Sequence, residues 1–240
     1  MWSNVRYGQY WSGVDVTWDD GFGNDYNYEY FMIPVNGMQG HTMDDPQFSP
    51  WLQYPALSAI PDASILPYYD VPAGFWGEPY VQYVYANQYM SGMSSVIFGT
   101  HNAVTRAQFA TILYSLAGRP SVYYEPLYKD VPQGEWYTDA IMWANAEGIA
   151  TGYASGKFGV NDPISREQIA LMLYKYKDGS PEAGDFLYSF DDSYNVDYWA
   201  EEAMNWAVAN EIISGTPDNR LDPLGKALRV QCAVMISKIA

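Results

Sequence analysis

Three short segments carry the residue types best suited to bind a charged ligand: Thr105-Arg106-Ala107-Gln108, Ser165-Arg166-Glu167-Gln168 and Ala227-Leu228-Arg229-Val230-Gln231. In the first two, a hydroxyl residue followed three positions later by glutamine is a capping box. Such a box satisfies amide groups that the first helical turn leaves free. It explains the hydroxyl and the glutamine but not the arginine, because a cation in the first turn faces the positive end of the helix dipole. The chain has only six arginines, and three of them stand in this one column. A guanidinium beside a helix N-terminus makes a convergent anion site, with fork-shaped donors next to free backbone amides. The alternative is structural, with each arginine paired to a neighbouring acid. The third segment has lost the hydroxyl and keeps Arg229.

The elements that must position these arginines repeat. Asp130-Val131-Pro132 heads a segment that runs to Tyr176, and Asp70-Val71-Pro72 heads a similar one sixty residues earlier. A more worn third copy begins at Phe190-Asp191-Asp192. Trp76, Trp136 and Trp199 align, as do Gly92, Gly152 and Gly215, and Arg106, Arg166 and Arg229. Self-similarity at this period marks a repeat architecture. Each unit reads as helix, loop, helix: Ala140, Trp143, Ala144 and Glu147 fall at helical spacing, and Gly148 ends the helix. Ile169, Met172, Leu173 and Tyr176 repeat the spacing in the second helix. Phe109, Ile112, Leu113 and Leu116 hold these columns in copy one, and Cys232, Met235, Ile236 and Ile239 in copy three. The single cysteine, Cys232, is therefore a core residue, and it permits no intrachain disulfide. One amphipathic helix pair cannot bury its face alone, so the three units are expected to pack into one body, as a monomer.

The Asp-Val-Pro…Trp opening, the Gly148-Ile149-Ala150-Thr151-Gly152 turn and the TRAQ/SREQ helix start together resemble the S-layer homology pattern. The likeness covers about 170 residues of the chain, and its motifs recur in order. It implies a mainly α fold, a pseudo-threefold helical bundle of three helix-loop-helix repeats. It also implies binding of secondary cell-wall polysaccharide, often through acidic pyruvylated sugars, in grooves between repeats at the bacterial cell surface. By this resemblance Arg106, Arg166 and Arg229 each meet a sugar carboxylate or phosphate, and Gly92, Gly152 and Gly215 let the ligand approach the backbone. Copy one departs from the pattern with Gln88-Tyr89 where the turn expects Gly-Ile.

The first 44 residues differ in texture. Val5-Arg6-Tyr7 and Tyr10–Val16 flank a turn at Gly8-Gln9 and suggest a β-hairpin, with Tyr28–Ile33 as a third strand, giving α+β overall. Trp11-Ser12-Gly13-Val14-Asp15-Val16-Thr17-Trp18, followed by Tyr28–Phe31 and Gly40-His41-Thr42, resembles the C-terminal end of transglutaminase-like, papain-related domains. That likeness places Asp15 where those enzymes keep the aspartate that orients a catalytic histidine. The nucleophile and base have no counterpart here, since His41 matches a non-catalytic position and His101 falls in a repeat loop. No catalysis is expected of this chain, and a longer parent could be a wall-anchored cysteine enzyme. A sugar-stacking role for the aromatic N-terminus is a third possibility.

The expected organisation is a β-rich remnant over 1–44, a Pro-rich linker over 45–67, and repeats over 68–120, 121–180 and 181–240. With 12 Lys+Arg against 28 Asp+Glu the formal charge is −16, which excludes nucleic acid as an expected partner. An acidic protein must bind an acidic polymer locally, against its overall field. No window reaches the length of a membrane span, and no cofactor or metal is expected. The segment Met1–Arg6 lacks the apolar run of a signal peptide, so a secreted protein would be represented here by a mature or truncated piece.

Overall fold

A computed structural model describes residues 2–7, 10–15 and 66–240. The chain divides into two compact units, Met1–Ala59 and Ile60–Ala240. In the first, strands β1 (Trp2–Tyr7) and β2 (Tyr10–Asp15) pair antiparallel, with Tyr7 opposite Tyr10 and Trp2 opposite Asp15. The segments expected to form a third strand and the Pro-rich stretch before Leu66 lie outside the described residues.

The second unit is mainly α. Its helices are α1 (Glu78–Ala86), α2 (Arg106–Leu116), α3 (Thr138–Ala146), α4 (Arg166–Tyr176), α5 (Glu201–Ala209) and α6 (Arg229–Ile239). Thr105 and Ser165 complete the expected capping boxes with Gln108 and Gln168. At the third start Leu228 offers no hydroxyl, yet Gln231 Oε1 still accepts from the Leu228 amide at 2.9 Å. The turn after each first helix needs one left-handed residue, because its chain must reverse within two positions. Gly148 supplies it in copy two at φ 68°, and Gln88 (60°) and Glu211 (57°) do so without glycine's freedom.

The helices of neighbouring repeats pair with one another. The main helix pairs are α2 with α3, α4 with α5, and α6 with α1. The first helix of each repeat therefore packs on the second helix of the preceding repeat, and the third repeat closes back on the first. Sequence periodicity reveals which face of a helix is apolar but not whose face it meets. Trp143 on α3 makes aromatic contacts both across and within repeats: its ring centroid lies 5.7 Å from that of Tyr114 on α2 and 6.2 Å from that of Tyr176 on α4.

A ring of three backbone hydrogen bonds joins the repeats at their centre. The Val104 amide donates to Ala227, the Ala227 amide to Ile164, and the Ile164 amide to Val104, at 2.9, 3.1 and 2.9 Å. All three residues are fully buried. Each bond removes one donor and one acceptor from a dry interior where an unpaired amide is costly. Cys232 is fully buried in the α6 column, and burial pushes its thiol up to about 12, so it is a packing residue.

Candidate polymer-binding grooves

The three column arginines begin α2, α4 and α6, and each leaves its own repeat. Arg106 Nε and Nη2 donate to the carbonyls of Phe158 and Thr151, at 3.0 and 2.8 Å. Arg166 reaches Leu221 and Ser214, at 2.7 and 2.8 Å. Arg229 returns to Phe98 and Ser91 of the first repeat, at 2.8 and 2.5 Å. Their exposures are only 6%, 7% and 7%. Burial lowers the proton affinity of Arg166 and Arg229, against the pull of nearby acidic groups. Arg106 lies 4.8 Å over the Tyr153 and Phe158 rings, and Arg229 lies 4.7 Å over Phe98.

Two expectations need correction. The amides beside the arginines are not free. Arg106, Arg166 and Arg229 donate their own amides to Asp162, Gly225 and Asn102, while Glu167 and Val230 donate theirs to Pro223 and Thr100. The neighbouring loop needs these donors for its own buried carbonyls, so they are taken before any ligand arrives. The structural alternative also changes, since the partners are carbonyl oxygens rather than acids. What remains for a ligand is Nη1 of each guanidinium, which no hydrogen bond uses among the described residues.

Sequence reasoning assigned no role to the carboxylates that hold the receiving loops. Asp70 accepts from the amides of Phe98, Gly99 and Thr100, at 2.8, 2.7 and 2.8 Å. Asp130 takes Phe158, Gly159 and Val160, and Asp192 takes Leu221 and Asp222. The same residue in each loop is thus gripped twice. Phe98, Phe158 and Leu221 give their amide to the aspartate of their own repeat and receive the arginine of the preceding one. The available signal was the aligned Asp of each repeat heading.

These carboxylates set a pH dependence. Burial opposes ionisation of Asp70, Asp130 and Asp192, but the amide hydrogen bonds outweigh it and hold each below its ordinary value. With folded values below an unfolded value of about 3.9, their stabilisation is complete above that pH. It is lost as pH falls through the folded values. Glu167, buried and accepting from the Asp197 amide at 3.1 Å, has the opposite sign. Burial raises it, so the stability tied to its protonated form is lost as pH rises through its folded value. Thermal unfolding followed from pH 2 to 7 is expected to give a maximum in the mildly acidic range and a steep fall below about pH 4. Asp130→Asn should make that fall shallower and Glu167→Gln should flatten the neutral side. A profile unchanged by both would contradict these assignments.

The column glycines face the protein's own rings. A side chain on Gly92, Gly152 or Gly215 would collide with Tyr68, Tyr128 or Phe190 respectively. The Tyr68 and Tyr128 hydroxyls also accept from the Gly92 and Gly152 amides, at 2.7 and 3.1 Å. The close approach that requires glycine is therefore already made within each repeat.

Two grooves open beside the arginines. The larger, about 550 Å³, holds Arg229 of the third repeat, Ser91 and Gly92 of the first, and Trp136 of the second. The smaller, about 250 Å³, holds Arg166, then Ser214 and Gly215, then Trp76. Each combines an arginine from one repeat, a glycine loop from the next and a tryptophan from the one after. Arg106, Gly152 and Trp199 hold the same three columns of the sequence repeat. Trp76, Trp136 and Trp199 are 58%, 62% and 42% exposed, unusual for side chains of this size. Sequence alignment found these tryptophans but could not say that they face outward.

Asp15 ends β2, and the part of its motif that follows Asp15 lies outside the described residues. Among the described residues no helix is long and apolar enough to cross a membrane. His101 lies in an exposed loop.

Comparison with known proteins finds three matching repeats. The S-layer homology domain matches residues 67–110, 127–170 and 189–229, together more than half of the chain. An endoglucanase of Bacillus sp. (strain KSM-635) is 29% identical over 180 residues, 74% of this chain and 19% of its own length. An S-layer protein of Bacillus thuringiensis subsp. finitimus is 28% identical over 171 residues, 70% of this chain and 21% of its own. A cellulosome-anchoring protein of Acetivibrio thermocellus is 27% identical over 160 residues, 62% of this chain and 35% of its own. The chain thus spans a minor part of each of these relatives. The matched residues carry the clamping aspartates, the crossing arginines and the first helix of each repeat in full, and the chain belongs to the S-layer homology domain family.

Proposed function

We propose that residues 66–240 are a non-covalent anchoring module that holds its parent protein to the bacterial cell wall. The ligand is a secondary cell-wall polysaccharide carrying acidic, for example pyruvylated, sugars. It lies in the grooves, stacks on Trp76, Trp136 or Trp199, and pairs an anionic group with Nη1 of Arg166, Arg229 or Arg106. The observation that carries this reading is the pairing of one exposed tryptophan with one half-satisfied, buried guanidinium in each groove. An aromatic face suits the apolar side of a sugar ring, and a fixed guanidinium suits a carboxylate or phosphate. The closed ring of arginine contacts supports a pseudo-threefold arrangement in which three similar sites share one body. Three weak sites on one polymer would give retention through avidity.

Relatives named for quite different activities carry the same repeats, which favours a module joined to varied partners. The resemblance of residues 11–42 to a transglutaminase-like terminus makes a cysteine enzyme one such partner, with Asp15 as its orienting aspartate.

The test is retention of the whole chain on isolated Gram-positive sacculi before and after acid stripping of the wall polymer. Binding that vanishes on stripping supports the anchor. Binding indifferent to stripping would mean nonspecific adhesion, and absence of binding would refute the anchor.

A further inference from the structure

The two grooves differ in a way the repeat pattern does not require. The larger contains a second cation, Arg119, just beyond the C-terminal end of α2. Its amide bonds back to Tyr114, as the Gly179 amide bonds back to Tyr174 in the next repeat. The position is thus occupied by glycine in one copy and by arginine in the other. Arg119 stands at φ 54°, a conformation that an L side chain adopts at some cost. Among the described residues its guanidinium hydrogen-bonds to Ser115 Oγ, at 3.4 and 3.3 Å, and no carboxylate pairs with it. The larger groove therefore presents Arg229 and Arg119 with no acid in its lining, in a chain of formal charge −16. The smaller groove presents only Arg166 and has less than half the volume.

Resting on the wall-polymer reading above, we propose that the larger groove binds a glycan segment bearing two negative groups, one read by Arg229 and the other by Arg119. Arg229 is buried and fixed by two carbonyls, so it reads a group at the groove floor. Arg119 is exposed and loosely held, so it reads a group nearer the mouth, on a neighbouring sugar. Trp136 lines the same groove and supplies the ring face for the sugar. In a strongly acidic protein, two cations in a groove free of acids make this the site where an acidic polymer is first held.

The experiment measures binding of the whole chain to immobilised wall polysaccharide released from Gram-positive sacculi by muramidase. The variants are Arg119→Gln and Arg119→Lys, each first checked for an unchanged melting temperature. Arg119→Gln is expected to weaken binding about tenfold, the usual order for one charge-assisted contact. It should also make binding less sensitive to salt. Arg119→Lys should recover most of the loss, because a point charge suffices at an exposed rim. Combined with Trp136→Ala, in the same groove, the loss should be less than additive; with Trp76→Ala, in the other, it should be additive. Polymer with its carboxyl groups reduced and polymer freed of phosphate by hydrogen fluoride separate the two sources of charge. The treatment that erases the difference between wild type and Arg119→Gln names the anion. If wild type binds the polymer and Arg119→Gln binds equally well, the two-anion groove is refuted while the anchor stands. A deficit that survives both treatments also refutes it. If wild type does not bind, the anchor reading fails and takes this inference with it.

Discussion

Arg166→Ala is expected to lower the thermal midpoint of the repeat body by about 6–12 °C. The arginine is buried, and its Nε and Nη2 satisfy the carbonyls of Leu221 and Ser214 across a repeat boundary. Removing it leaves two acceptors without partners in a dry interface, each costing about 1–3 kcal/mol. The apolar stem is lost as well. A total of roughly 3 kcal/mol corresponds to that temperature shift in a body of this size. Arg166→Lys should rescue little, since an ammonium cannot span two carbonyls in a fixed fork. Arg220→Ala is the control. Arg220 also pairs across its own repeat, at 3.5 Å from Asp192, but it is 56% exposed. Its loss should cost no more than about 0.5 kcal/mol, as for most surface pairs. Differential scanning calorimetry of the three variants decides the matter, and equal midpoints for Arg166→Ala and Arg220→Ala would refute the structural role. The same result bears on any binding assay. Loss of wall binding in Arg166→Ala mixes loss of fold with loss of ligand contact.

The tryptophans separate those two effects. The triple replacement of Trp76, Trp136 and Trp199 by alanine is expected to reduce retention on sacculi by about a hundredfold or more. Each loss removes a stacking face, and three sites on one polymer act together. The thermal midpoint should move little, because these side chains are half exposed and cover little of the core. Single replacements should each cost less than the triple, with Trp136→Ala the largest if the larger groove is the stronger site. Unchanged retention in a folded triple variant would remove the tryptophans from the binding surface.

The repeat itself was legible in the chain, because burial of one helix face demands apolar residues at fixed spacing, and three copies of that demand leave three aligned columns. The capping boxes at Thr105 and Ser165 were legible for a local reason: their donors and acceptors lie within four residues. Cys232 could be placed in the core by its column alone. The role of the arginines could not. Whether Arg106, Arg166 and Arg229 lie open to a ligand or bridge to a carbonyl depends on residues about 45 to 138 positions away. No local pattern encodes that distance.

Sequence by itself therefore determined the number of repeats, the apolar face of each helix and the starts of α2 and α4, all of which are short-range consequences of residue type. Only the tertiary structure decided that α3 packs on α2, that α1 closes the circle against α6, and that each arginine serves the loop clamped by the next repeat's aspartate. It also decided which tryptophans face outward and which cations share a groove. Those are outcomes of chain closure: once the three repeats join in a ring, the unpaired carbonyls of one loop can be reached only from its neighbour.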